Sequence, residues 1–119
     1  MTFSPYFKRT EFACKCGCGF DSVDAELLQA LTKIREHFNA PIEITSGNRC
    51  AKHNATIGGE DKSAHIRGLA CDFKVKGVDH STVEAFLESC YGDRYGIGSY
   101  PNRTHLDVRE TKARWTRNV

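Results

Sequence analysis

The sequence predicts an α+β domain: a small, mainly antiparallel sheet with helices packed to one side. Two stretches place apolar residues at helical spacing, and several short segments alternate as strands do. These segments follow in the order helix, strand, loop, strand, helix, strand, strand. At 119 residues the chain has the size of one ordinary domain, and no repeat, low-complexity tract or linker divides residues 1–119.

Residues 1–20 read as an irregular N-terminal arm ending in the cysteine-rich turn ACKCGCG. Asp21, Ser22 and Asp24 offer N-cap chemistry for a helix over Val23–Asn39. Leu27, Leu28, Leu31, Ile34 and Phe38 fall on one face of it, and Ala40–Pro41 ends it. IEITS, Ile42–Ser46, alternates as a strand and is punctuated by Gly47. NRCAKHNATIGG reads as a short helical turn closed by Gly58 and Gly59, followed by a loop to Ser63. GLACDFKV, Gly68–Val75, reads as a strand, and DHSTVEAFLESCY as a second helix with Val83, Phe86, Leu87 and Cys90 on its face. YGIGSY and THLDVR read as two strands joined by a turn at Pro101–Asn102, and Trp115 in the tail as cover for one end of the core.

Composition narrows the function classes. With 39% hydrophobic and 27% charged residues the chain reads as soluble and globular. A net charge of +2, from 17 basic and 15 acidic residues mixed along the chain, is too mild to argue for nucleic acid. No stretch approaches the roughly 18 apolar residues that span a bilayer, so no membrane partner is expected. The start MTFSPYFKRTEF lacks the basic-then-apolar layout of a signal peptide. Synthesis in the cytoplasm is therefore expected, and with it a monomer. Six cysteines are many for this length. Cys14, Cys16 and Cys18 read first as reduced thiols in a tight glycine-rich loop; a local zinc site or a disulfide are the alternatives. Cys71 and Cys90 sit in apolar patterns and read as buried thiols.

Two fragments carry chemistry. In SAHIRGLACDF, Ser63–Phe73, Asp72 lies inside an apolar strand, where an ionised carboxylate needs a hydrogen-bond network, an ion pair or a metal. Ala70, Asp72 and Lys74 share one parity of that strand. In RTHLDVR, alternation puts His105, Asp107 and Arg109 on one face. Should the two strands be neighbours, His65, Asp72 and His105 make a three-ligand set, the layout of a catalytic zinc site that keeps a fourth position open. Otherwise His65 is an ordinary loop residue.

These residues resemble a known family. SAHIRGLACDF is similar to the S-x-H-x-x-G-x-A-x-D signature of the zinc D-alanyl-D-alanine carboxypeptidase-like peptidases, which share the Hedgehog-like fold. EFACKCGCG resembles the N-terminal arm of the phage and prophage branch, ITSGNRCAKHNATIGG its next segment, and GIGSYPNRTHLDVR its close. The resemblance runs in order from about Phe3 to Trp115. It implies zinc ligated by His65, Asp72 and His105. It also implies that Arg49 points into the site, steadying a carbonyl oxygen or a substrate carboxylate; a surface salt bridge is the plain alternative. Ser63 orients the His65 loop or binds near Asp72, Gly68 serves backbone geometry, and His53 stabilises its short helix. The implied substrate is a peptidoglycan stem peptide with bonds involving D-alanine, reached through phage release or virion delivery. Several members carry an acidic general base three positions before the second histidine ligand. Here that position is Asn102, which cannot take a proton. Asp107 is then expected to serve as the base, to hold a ligand histidine, or to pair with Arg109. A module that keeps zinc but not catalysis, used for cell-wall binding or phage structure, is the rival reading.

Overall fold

A computed structural model describes residues 6–14, 23–47 and 69–117. The expected turn and loop over 48–63, the sites Arg49, Ser63 and His65, and Cys16, Cys18, Cys50, His53 and Gly68 lie outside the described residues.

The described chain forms a 3-10 turn at Arg9–Phe12, then α1 (Ala25–Phe38), β1 (Ile42–Ser46), β2 (Ala70–Val75), α2 (His80–Tyr91), β3 (Gly96–Tyr100), β4 (Arg103–Asp107) and β5 (Ala113–Thr116). Of the candidate caps, Asp24 serves: its side chain accepts from the Glu26 N–H at 2.8 Å. α1 stops because Asn39 turns left-handed at φ 49°, a conformation asparagine tolerates better than most residues. The sheet runs in the order β1-β2-β4-β3-β5, antiparallel except for β3 beside β5. The architecture is thus α+β with a mainly antiparallel sheet.

Strand alternation divides the sheet's two faces. Cys71, Phe73, Val75, Ile97 and Leu106 join Leu27, Leu31 and Ile34 of α1 and Val83 and Leu87 of α2 in one apolar core. The helices therefore cover one face, and the opposite parity, with Asp72, His105 and Asp107, belongs to the other.

Three expectations change. The arm is anchored in its described part, because Phe7 and Phe12 are buried and pack ring edge to ring face with centroids 5.9 Å apart. Gly47 does more than punctuate: a Cβ there would meet the Phe12 Cα at 2.6 Å, so the arm lies directly on it. Trp115 does not cover an end of the core: Ala113–Thr116 pairs parallel to β3 as a fifth strand, and the Trp115 ring lies against that of His105. Cys71 and Cys90 are free thiols; Cys71 is wholly buried, and burial, then the Asp72 charge, push its thiol well up.

Candidate active site

The antiparallel register sets Asp72 of β2 directly opposite His105 of β4. Both lie on the face away from the helices, His105 with 7% exposure and Asp72 with 9%. The His105 Nδ1 stands 2.8 Å from Asp72 Oδ1. Its other nitrogen, Nε2, stands 2.8 Å from Oδ2 of Asp107, two residues on along the same face.

Asp107 has no exposed surface. Arg109 grips it with a two-pronged fork, Nε donating to Oδ1 and Nη2 to Oδ2, both at 2.7 Å, and the Arg109 backbone N–H donates to Oδ1 at 3.2 Å. Burial alone would raise the Asp107 pKa, but the hydrogen bonds and charges of His105 and Arg109 outweigh it and hold the carboxyl far below its ordinary value. Asp107 is thus an ionised acceptor. It follows that His105 donates from Nε2, and that its Nδ1 lone pair faces a carboxylate oxygen of Asp72. Two acceptors 2.8 Å apart are reconciled only by a cation between them, either a proton or a metal ion. Accordingly, although burial works against charge on His105, the bonds to Asp107 and Asp72 raise its pKa above the ordinary histidine value. The donor set fits a metal: a neutral imidazole, fixed through its far nitrogen, beside a carboxylate.

The neighbouring strand makes room. Gly96 and Gly98 of β3 pair with Asp107 and His105 on β4. A Cβ at Gly96 would collide with the Asp107 carboxylate, and one at Gly98 with the indole of Trp115. That indole comes from β5, where Trp115 pairs with Gly98, and its ring lies 4.9 Å from the His105 ring. Trp115 Nε1 donates to the Tyr100 hydroxyl at 3.0 Å, and the Arg103 guanidinium lies 4.0 Å over the Tyr100 ring. Arg103 Nε stands 3.6 Å from the second oxygen of Asp72. Asn102 sits exposed in the hairpin turn, accepting from Arg103 Nη1 at 2.9 Å.

Of the residues singled out in the sequence, Asp72, His105 and Asp107 come together. Among the described residues no three His, Cys, Asp or Glu side chains form a complete metal shell; the third expected ligand, His65, lies outside them. The sequence reading missed Gly96, Gly98, Tyr100 and Trp115. The signal for the first two was available: glycines two apart in GIG share one parity of a strand, which marks a face crossed by something close. Nothing in the sequence pointed Trp115 at His105, because that contact depends on the parallel pairing of β5.

Residues 5–107 match the family model described as Peptidase M15. A protein of Haemophilus influenzae named as a probable peptidoglycan L,D-endopeptidase is 35% identical over 96 residues, which cover 72% of this chain and 50% of that protein. The chain thus spans about half the length of the curated relative it matches.

Proposed function

The chain belongs to the Peptidase M15 family, and from that membership we propose that it is a zinc-dependent peptidase of peptidoglycan stem peptides. The observation that carries the reading is the facing pair His105 Nδ1 and Asp72 Oδ1, with the far side of the imidazole tied to Asp107. Asp72 and His105 are the ligands on the sheet, and His65, matched only through the motif resemblance, is the third. A zinc ion held there supplies Lewis acidity toward a peptide carbonyl and acidifies water.

This chain's own residues have separable roles. Asp72 and His105 bind the ion. Asp107 orients His105: four donors, from His105 Nε2 and three atoms of Arg109, occupy its oxygens, and it is wholly buried. That arrangement suits holding a ligand better than accepting a substrate proton, so of the three roles expected for Asp107 the orienting one is preferred. Arg49 is the cation expected to steady the developing oxyanion, and Ser63 lies on the stretch that carries His65.

The bond cleaved is one involving D-alanine on the motif resemblance. The relative's name favours an L,D bond within the peptide instead, and the two leave different fragments. Purified sacculi digested with the protein, with and without chelator, and analysed by mass spectrometry test both. Release of new amino termini that stops with chelator and in His105→Ala is expected. Sacculi bound but left uncut would move the assignment to a zinc-stabilised binding module, the reading that Asn102 favours.

A further inference from the structure

We propose that Arg109 is a positioning residue for the metal site: its fork fixes Asp107 as an acceptor, so that His105 presents Nδ1, not Nε2, to the ion it shares with Asp72. The inference rests on the reading of Asp72 and His105 as metal ligands.

Three observations build it. First, the grip is over-determined. Arg109 contributes two side-chain donors at 2.7 Å and its own backbone N–H at 3.2 Å, and both Asp107 oxygens are engaged. Second, the carboxylate is closed off on one side. It is wholly buried and lies against the bare backbone of Gly96, where even a Cβ would strike it. Third, the indole of Trp115 ties the two ends together. It lies 4.9 Å from the His105 ring, and the Arg109 guanidinium lies 5.3 Å over it. Arg109 itself is 38% exposed, so it reaches from solvent to a buried anion instead of forming an ordinary surface pair.

The consequence is a choice of tautomer. A carboxylate fixed by the fork can only accept, so Nε2 keeps its proton and Nδ1 is the nitrogen turned to Asp72, where a bound ion takes the place of the proton the two otherwise share. Without the fork the carboxylate can swing away from Nε2. The imidazole then also populates the form protonated on Nδ1, whose proton sits where the ion would bind. The planar fork matters as much as the charge, because an ammonium cannot hold two oxygens at once.

The test uses the full chain with histidine labelled in nitrogen-15. Zinc affinity is measured by competition with a chromophoric chelator, and the protonated nitrogen of His105 by long-range nitrogen–proton correlation. Wild type is expected to bind about one zinc with the proton on Nε2. Arg109→Gln should bind zinc about 10–100-fold more weakly and, when zinc-loaded, show His105 divided between Nε2- and Nδ1-protonated forms. Arg109→Lys should not recover the affinity. Arg109→Gln combined with Asp107→Asn leaves no unpaired buried charge, so it keeps the test valid if the single variant does not fold; because the fork acts only through Asp107, it should bind no more weakly than Asp107→Asn alone, and a further loss would overturn the proposal. Wild-type affinity with an Nε2 proton in these variants, or full recovery by lysine, would overturn the role of the fork. A wild-type chain that takes up no zinc would instead overturn the metal reading, and this inference with it.

Discussion

Asp107 is where single-residue chemistry is most exposed to test. If it orients His105, Asp107→Asn should lower zinc affinity about 10–100-fold, read by chelator competition. If it were the base, the same change would leave zinc in place and cut hydrolysis of sacculi by about 10²–10⁴-fold. The geometry favours the first outcome, since four donors already fill its oxygens. Gly96→Ala reaches the same group from behind. Its Cβ lands on the Asp107 carboxylate, which must shift and so disturb its bond to His105. Zinc affinity should fall here too, although no ligand, charge or hydrogen-bonding side chain has been changed. An unchanged affinity would mean that the carboxylate position is not what prepares the histidine.

At the scale of elements, α1 is held by its cap and by its buried face. Asp24→Ala removes the acceptor for the Glu26 N–H and should cost about 0.5–2 kcal/mol in urea unfolding. Leu31→Ala opens a cavity at a position with no exposure and should cost about 2–5 kcal/mol. Neither should alter zinc affinity at temperatures where the variant is folded, because α1 packs on the face of the sheet opposite Asp72 and His105. β5 differs. Its helix-side residue Arg114 bonds Glu88 and the Tyr91 and Tyr95 carbonyls, while its next residue, Trp115, crosses Gly98 to His105. One short strand therefore ties α2 to the candidate site.

For the whole molecule, pH should limit stability from both sides in the metal-free protein. The Asp107 carboxyl is held below its unfolded value, so its contribution is present above about pH 4 and is lost as pH falls toward the folded value. Burial, then the hydrogen bond to Glu26, push the Tyr95 hydroxyl from 10.0 up to about 12. Its contribution is therefore whole below pH 10.0 and disappears as pH rises through about 12. Thermal melts across pH in the presence of chelator should show both limbs. Asp107→Asn should flatten the acid limb and Tyr95→Phe the alkaline one. Saturating zinc should raise the melting temperature of wild type through linkage, by an amount that grows with zinc concentration.

The sequence by itself determined the local order. Periodicity placed both helices and four strands, since a 3.6-residue or two-residue repeat is decided by which side chains must leave water. Alternation likewise put His105 and Asp107 on one face, and the apolar setting of Asp72 flagged a carboxylate in need of a partner. Only the tertiary structure decided which strands are neighbours. β2 pairs with β4, 33 residues away at Asp72 and His105, and this brings the two together. The parallel docking of β5 carries Trp115 to the same face, and the packing of Phe12 on Gly47 anchors the arm. Strand order and long-range contact depend on how the whole core closes, and no local repeat encodes that. The choice of His105 nitrogen lay even deeper, because it depends on a fork of hydrogen bonds whose atoms meet only after the sheet has formed.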